Sequence, residues 1–229
     1  MAAQVEVLSA GAVKPGLVPV VALFERHTGY KAVLEFATAP AIRQRLSGGQ
    51  APDVVIAPRD VLDELTQSNK AAADHVVLGR VGVGVMVRTG AAMPKIASVD
   101  EFSQTLLEVD SIVYNQASTG IYLDKLFDRL GVATRLASKT TRCVDFAAVL
   151  DHVSNGSGNE IGFGATTVIS ENAGKGVQWV GPLAAEIQNY TSYAAVLTGR
   201  GVDVTAARAL LEYIAAPAAK AVFTAAGIM

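Results

Sequence analysis

A single cysteine, Cys143, in 229 residues excludes an internal disulfide. No cluster of histidine, cysteine and carboxylate has the spacing of a metal site, and His27, His75 and His152 are widely separated. These histidines read as surface residues, and Cys143, beside Val144 and close to Phe146, reads as a small packing residue. Charged residues make up only 17%, with a net charge of −2 and no basic stripe, so no nucleic-acid partner is expected. No run of eighteen apolar residues occurs, so no membrane insertion is expected. Paired carboxylates, a Ser–His–Asp order with a nucleophile elbow and a phosphate loop are also missing, so neither a metal nor a cofactor is expected. The opening "MAAQVEVLSAGAVKPG" has no basic region, apolar run and cleavage site in succession. As written, the chain reads as cytoplasmic; a chain trimmed of its leader would read the same and would be periplasmic.

What is present is a hydrophobic content of 51%, enough for one large core or two smaller ones. Short apolar runs alternate with helical patterns, the signature of parallel α/β units. "VEVLSA" reads as a buried strand, and "KPGLVPVVALFERHTG" as a helix with Leu17, Val20, Val21 and Phe24 on one face and Gly29 as its stop. "YKAVLEFA", "PAIRQRLSGG", "PDVVIAP" and "RDVLDELTQSN" continue as strand, helix, strand and helix. "HVVLGRVGVGVMVRTG" is too long for one ordinary strand and fits a strand crossing between domains. A second α/β set follows: "SIVYN", "STGIYLDKLFDRLG", "DFAAVLDHVSN" and "NEIGFGATTVI". "SYAAVLTG" returns, and the closing helix "VTAARALLEYIAAPAAKAVFTAAG" should break at Ala216–Pro217. We therefore expect an α/β fold of two α/β domains joined by two crossover strands, with an interdomain cleft. Domain I would be residues 1–80 plus 194–229, and domain II residues 81–193.

Ligands of open α/β sheets bind beyond the carboxyl ends of the strands. Small residues opening helices there, in "AGAVKPG", "ATAPA" and "NQASTGIY", would offer backbone amides to an anion. Lys14, Arg43 and Arg59 are candidate charge partners, although taken singly Lys14 and Arg43 read as solvated side chains, while Arg59, at a strand end, has the better claim on the cleft but could cap or pair with Asp60 or Asp63. Taken singly, Ser118 or Thr119 reads as a helix cap, the commonest job of such residues, and Tyr190 and Tyr193 read as packing residues.

With these corners in place, the order of segments resembles the molybdate-binding-protein family of type II periplasmic solute-binding proteins. The resemblance covers essentially the whole chain. It rests on "LSAGAVKPGLVPVVALFERHTGYK", "FATAPAIRQRLSGGQAPDVVIAP", "STGIYLDKLFDRLG" and "VQWVGPL…YAAVLTG…ARALLEYIAAPAAKAVFTAAGI". It implies two domains closing over a ligand held by hydroxyls and amides. Carried over, the ligand-binding positions are Ala12, Val13, Lys14, Thr38, Ala39, Arg43, Arg59, Ser118, Thr119, Gly120, Phe146, Ser192 and Tyr193. The family's first-turn serine falls at Ala12, its second-turn serines at Thr38, Ala39 and Pro40, its tyrosine near Ser192, and the alanine before its glycine at Thr119. Each lost hydrogen bond to a charged ligand costs about 1.5–3 kcal/mol. A small anion with carboxylates is therefore favoured over a tetrahedral oxyanion. The resemblance implies a solute receptor, with an ABC permease as partner if the chain is exported. The alternative is an isomerase or tautomerase of a small polycarboxylate, as in the aconitate isomerase-like members of the fold group; no catalytic residue is assigned.

Overall fold

The computed structural model describes residues 4–198 and 204–229; the expected end of the return strand at Gly199 lies outside the described residues. In chain order the elements open with β1 (Gln4–Ala10), α1 (Lys14–Thr28), β2 (Lys31–Ala37), α2 (Ala39–Ser47), β3 (Val54–Pro58), α3 (Arg59–Gln67) and β4 (Val76–Arg88). Next come α4 (Val99–Glu108), β5 (Ser111–Asn115), α5 (Ser118–Arg129), α6 (Ala133–Leu136), β6 (Thr140–Cys143) and α7 (Phe146–Asn155). The chain continues through β7 (Glu160–Ala165), α8 (Thr166–Asn172), β8 (Val177–Pro182) and β9 (Tyr190–Leu197), then α9 (Val204–Ala215) and α10 (Pro217–Ala225).

The chain divides into two compact units, Met1–Val81 with Thr191–Met229, and Gly82–Tyr190. The divisions fall at residues 81 and 190, against the 80 and 193 read from the sequence. Both lie inside strands, β4 and β9. The long glycine-broken run thus forms one strand of 13 residues.

In the first unit the strand order is β2-β1-β3-β9, with β1 parallel to both β2 and β3, and β9 antiparallel to β3. β3 is buried along its whole length, as a central strand covered on both faces must be. β2 pairs only with β1 along this path and alternates exposed and half-buried residues, the pattern of an edge strand. α1 buries the face read from its periodicity, Leu17, Val20, Val21 and Phe24, and Gly29 ends it in the left-handed conformation at φ 76°. α1 packs on α10 so closely that a Cβ on Gly16 would lie 2.7 Å from the Phe223 ring.

The motif around Pro52–Asp53 has a structural reason. The buried Asp53 carboxylate accepts the Glu6 amide at 2.7 Å, the Asp53 amide donates to Glu6 O, and Asp53 O accepts from Thr198 N at 3.0 Å. Thr198 also donates its hydroxyl to Pro52 O. One residue thus ties the amino end of β3 to β1 and to the end of β9.

In the second unit β8, β4, β7, β5 and β6 follow one another; β5 is parallel to β6 and β7, and β4 is antiparallel to β7 and β8. Its core on one side gathers Phe102, Leu106, Ile112, Leu123, Leu126, Phe127, Ile161 and Phe163. A smaller cluster on Met86, Val149, Val153 and Ile169 includes Phe146 and Trp179 at its margin. α4 was not anticipated, although Ser98 caps it by accepting the Glu101 amide, and Glu101 in turn accepts the amide of Ala97, just before the cap. "NEIGFGATTVI", read as one strand, ends as a strand at Ala165 and turns into α8. The closing helix breaks at Ala216 as expected, with Pro217 opening α10.

Candidate functional site

In the first unit, register places the carboxyl ends of three parallel strands in line. Ala10 pairs with Ala37, Ser9 with Ile56, and Ala57 with Ala194. A row of alanines therefore crosses the sheet at this edge. Immediately beyond it lie Ala12, Val13 and Lys14 after β1, Thr38 and Ala39 after β2, and Arg59 after β3. Ser192 and Tyr193 arrive at the same edge from β9, with Tyr193 opposite Pro58. β-Sheet register thus brings eight of the candidate positions to one edge of this unit.

Their environments differ. Val13, Ala39 and Tyr193 are buried, Ala12 and Thr38 are half-buried, and Lys14, Arg59 and Ser192 are exposed. Burial pushes the Tyr193 phenol up, with nearby Asp60 acting in the same sense, so it stays protonated at neutral pH. Thr38 is the N-cap of α2: its Oγ1 accepts the Ala41 amide at 3.4 Å. Pro40 has no N–H to give. Of the three amides Ala39 to Ala41 expected to face a ligand, only that of Ala39 is neither missing nor engaged by this cap.

Arg43 lies one turn along α2, and its guanidinium is already occupied. It donates to both Glu64 oxygens at 2.7 and 2.9 Å, and to Asp60 at 2.7 Å. It lines a groove of about 310 Å³ between α2 and α3 together with Leu65, Ser68 and Lys70. Hydrogen bonds from Arg43 hold the Glu64 carboxyl below the usual carboxylate range. A depressed carboxylate pKa contributes stability above the unfolded value, about 4.3, and that contribution is lost as pH falls through the folded value. Because these side chains are 36% to 69% exposed, Arg43→Ala should cost no more than about 1 kcal/mol. We expect its ligand affinity to stay within about twofold of the parent, with the small stability loss disappearing in urea melts at pH 3. Arg59 lies 3.7 Å from Asp63, one turn along its own helix.

In the second unit, Asn115 pairs with Cys143 in β6, and Val113 with Gly162 in β7, so β5, β6 and β7 also end along one edge. Ser118, Thr119 and Gly120 form the first turn of α5 there. The Asn115 side chain accepts the Ala117 amide at 3.0 Å and shapes the corner. Among the described residues no side chain caps α5, which leaves its first three amides without a capping partner beside the half-buried Ser118 and Thr119. Gly120 is required by close approach: a Cβ there would lie 1.7 Å from Asn115 O.

Phe146, expected to contact ligand, is half-buried and packs within its own unit. Its ring covers Gly164 so tightly that a Cβ on that glycine would lie 2.4 Å from it. The sequence reading missed Thr166, which follows β7 at the same edge and opens α8. The signal was a pair of threonines after a strand, parallel to the Ser-Thr of "NQASTG". Asp145, also missed, caps α7 by accepting the Ala148 amide at 2.9 Å. Among the described residues no group of three His, Cys, Asp or Glu could hold a metal, and no helix is long and apolar enough to cross a membrane.

The chain is 33% identical to an aconitate isomerase from Pseudomonas sp. over 226 residues, 94% of this chain and 84% of that protein. The periplasmic molybdate-binding protein of Azotobacter vinelandii superposes with a TM-score of 0.80 at 15% identity, covering 98% of each chain. The sulfate-binding protein SubI of Mycobacterium tuberculosis superposes with a TM-score of 0.76 at 15% identity, covering 98% of this chain and 86% of its own. The fold is therefore the two-domain α/β fold of type II periplasmic binding proteins. A model described as bacterial extracellular solute-binding protein matches residues 5–228, and the chain belongs to that family.

Proposed function

We propose that this solute-binding protein takes a small organic acid through its carboxylates. The observation that carries the reading is the uncapped first turn of α5, where Ser118 and Thr119 set two hydroxyls beside three backbone amides. A helix N-terminus concentrates partial positive charge, and hydroxyls add directed donors. In the first unit, Lys14 adds a full positive charge at the carboxyl edge. A carboxylate is favoured over a tetrahedral oxyanion because Ala12 and Ala39 bring no hydroxyl donor to this edge. In the receptor role the partner is an ABC permease, if the chain is exported.

A second reading, isomerisation of a polycarboxylate, is supported by the 33% identity to an aconitate isomerase across almost the whole chain. It uses the same ligand class and adds a proton transfer. A base removes a proton from one carbon, the double bond shifts, and a proton returns to the far carbon, with no change in oxidation state. Lys14 and Tyr193 are the titratable side chains at the first unit's edge that such a role would draw on.

Calorimetry with cis-aconitate, trans-aconitate, citrate, molybdate and sulfate tests the reading. We expect a carboxylate to bind, and Ser118→Ala or Thr119→Ala to weaken it about tenfold or more each. Binding of molybdate or sulfate without any carboxylate would sink the proposal. Proton NMR of cis-aconitate with the protein separates the roles, since conversion to the trans isomer identifies the enzyme.

A further inference from the structure

The three cations expected at the ligand are held in different ways. Arg43 is paired with Glu64 and Asp60, and Arg59 lies near Asp63. Lys14 has no carboxylate partner among the described residues. Its ammonium instead sits 5.6 Å from the centroid of the Phe36 ring. Lys14 is the first residue of α1, and Phe36 is the penultimate residue of β2, beside the Ala37 that pairs with Ala10 at the carboxyl edge.

This difference has a chemical meaning. A salt bridge fixes a lysine but cancels its charge, while an aromatic face fixes it and leaves the charge in place. A free lysine has a long, mobile stem, and ordering it on binding would cost affinity. We infer that Phe36 is a positioning residue: it holds Lys14 at the edge, its charge not neutralised, ready for a ligand carboxylate. The strand pattern is consistent with this. Lys31, Val33 and Glu35 are exposed, while Ala32, Leu34 and Phe36 lie half-buried on the other face. A polar residue would serve equally well at the last of these positions if solvent were all it met.

The inference rests on the carboxylate reading above, and the experiment separates the two. Affinity for trans-aconitate is measured by calorimetry for the parent, Phe36→Leu, Phe36→Trp, Lys14→Met and the Lys14→Met/Phe36→Leu pair, with thermal midpoints recorded alongside. We expect Lys14→Met to weaken binding, Phe36→Leu to weaken it by about two- to fivefold, and Phe36→Trp to restore it. In the Lys14→Met background, Phe36→Leu should change nothing further, because its effect passes through the ammonium. A merely structural Phe36 would lower the thermal midpoint and weaken binding equally in both backgrounds, which overturns the inference. Parent binding that Lys14→Met leaves intact overturns it too, while the carboxylate reading stands. A parent that binds none of the carboxylates overturns both.

Discussion

Gly120→Ala should lower the thermal midpoint by about 6–12 °C, corresponding to a loss of about 3 kcal/mol or more. The added methyl would be placed 1.7 Å from the Asn115 carbonyl oxygen, far inside van der Waals contact, and against backbone that no rotamer change can move. Relief requires the first turn of α5 to lift from the end of β5. The turn that lifts is the one carrying Ser118 and Thr119, so ligand affinity should fall with stability. Gly131→Ala is a suitable comparison, because that glycine has open space around its Cβ position and a positive φ of 69°. Its cost should be confined to backbone strain of about 1 kcal/mol, with affinity unchanged. Differential scanning calorimetry with and without trans-aconitate measures both quantities. A Gly120→Ala protein with the parent's midpoint would show that α5 does not start against Asn115 as described.

Asp53→Ala should cost about 3 kcal/mol without touching the ligand-facing edge. The Asp53 carboxylate accepts the Glu6 amide at the opposite end of the sheet, and Asp53 is itself buried although Glu6 is exposed. Removing it leaves the donor of a half-buried hydrogen bond unpaired, a penalty of about 1–3 kcal/mol, and leaves a void where the carboxylate stood. Asp53→Asn keeps an acceptor oxygen and should recover much of the loss. Urea denaturation of the three proteins gives the comparison, with affinity for trans-aconitate expected to be equal once each is folded. A large affinity loss in Asp53→Ala at full folding would mean that the two ends of the first unit's sheet are energetically coupled.

Much of the first unit was legible because each of its elements announces itself locally. β3 is a continuous apolar run, α1 has a clean periodic face and a glycine stop, and Pro217 breaks the last helix. The carboxyl-edge corners were legible for the same reason, since small residues between a strand and a helix have few other uses. Side-chain pairing was not. Nothing in "APAIRQRL" shows that Arg43 will meet Glu64, 21 residues further on, since that depends on how α2 and α3 pack. Nor does the sequence show that the Phe146 ring will cover Gly164, 18 residues away in β7. α4 was missed for a different reason: its capping signal is present, but it follows an irregular stretch with no strand before it to set the α/β rhythm. Thr166 was hidden because a strand and a helix rich in threonine and valine run together without a breaking residue.

The passage of the chain through β4 and back through β9 has a consequence for how the protein is made. Residues 82–190 are continuous in sequence, so the second unit has all its parts as soon as its last strand leaves the ribosome. The first unit does not: β3 lacks its antiparallel neighbour until β9 is synthesised, with Val54 pairing to Leu197 across more than half the chain. Until then one side of β3 offers unpaired backbone groups on an otherwise apolar strand, the kind of edge that associates with other chains. Loop closure over that distance is slow to form and is the natural late step of folding. The inserted unit therefore matures first, and the half-built unit that hosts it is the part with most to gain from a chaperone during synthesis.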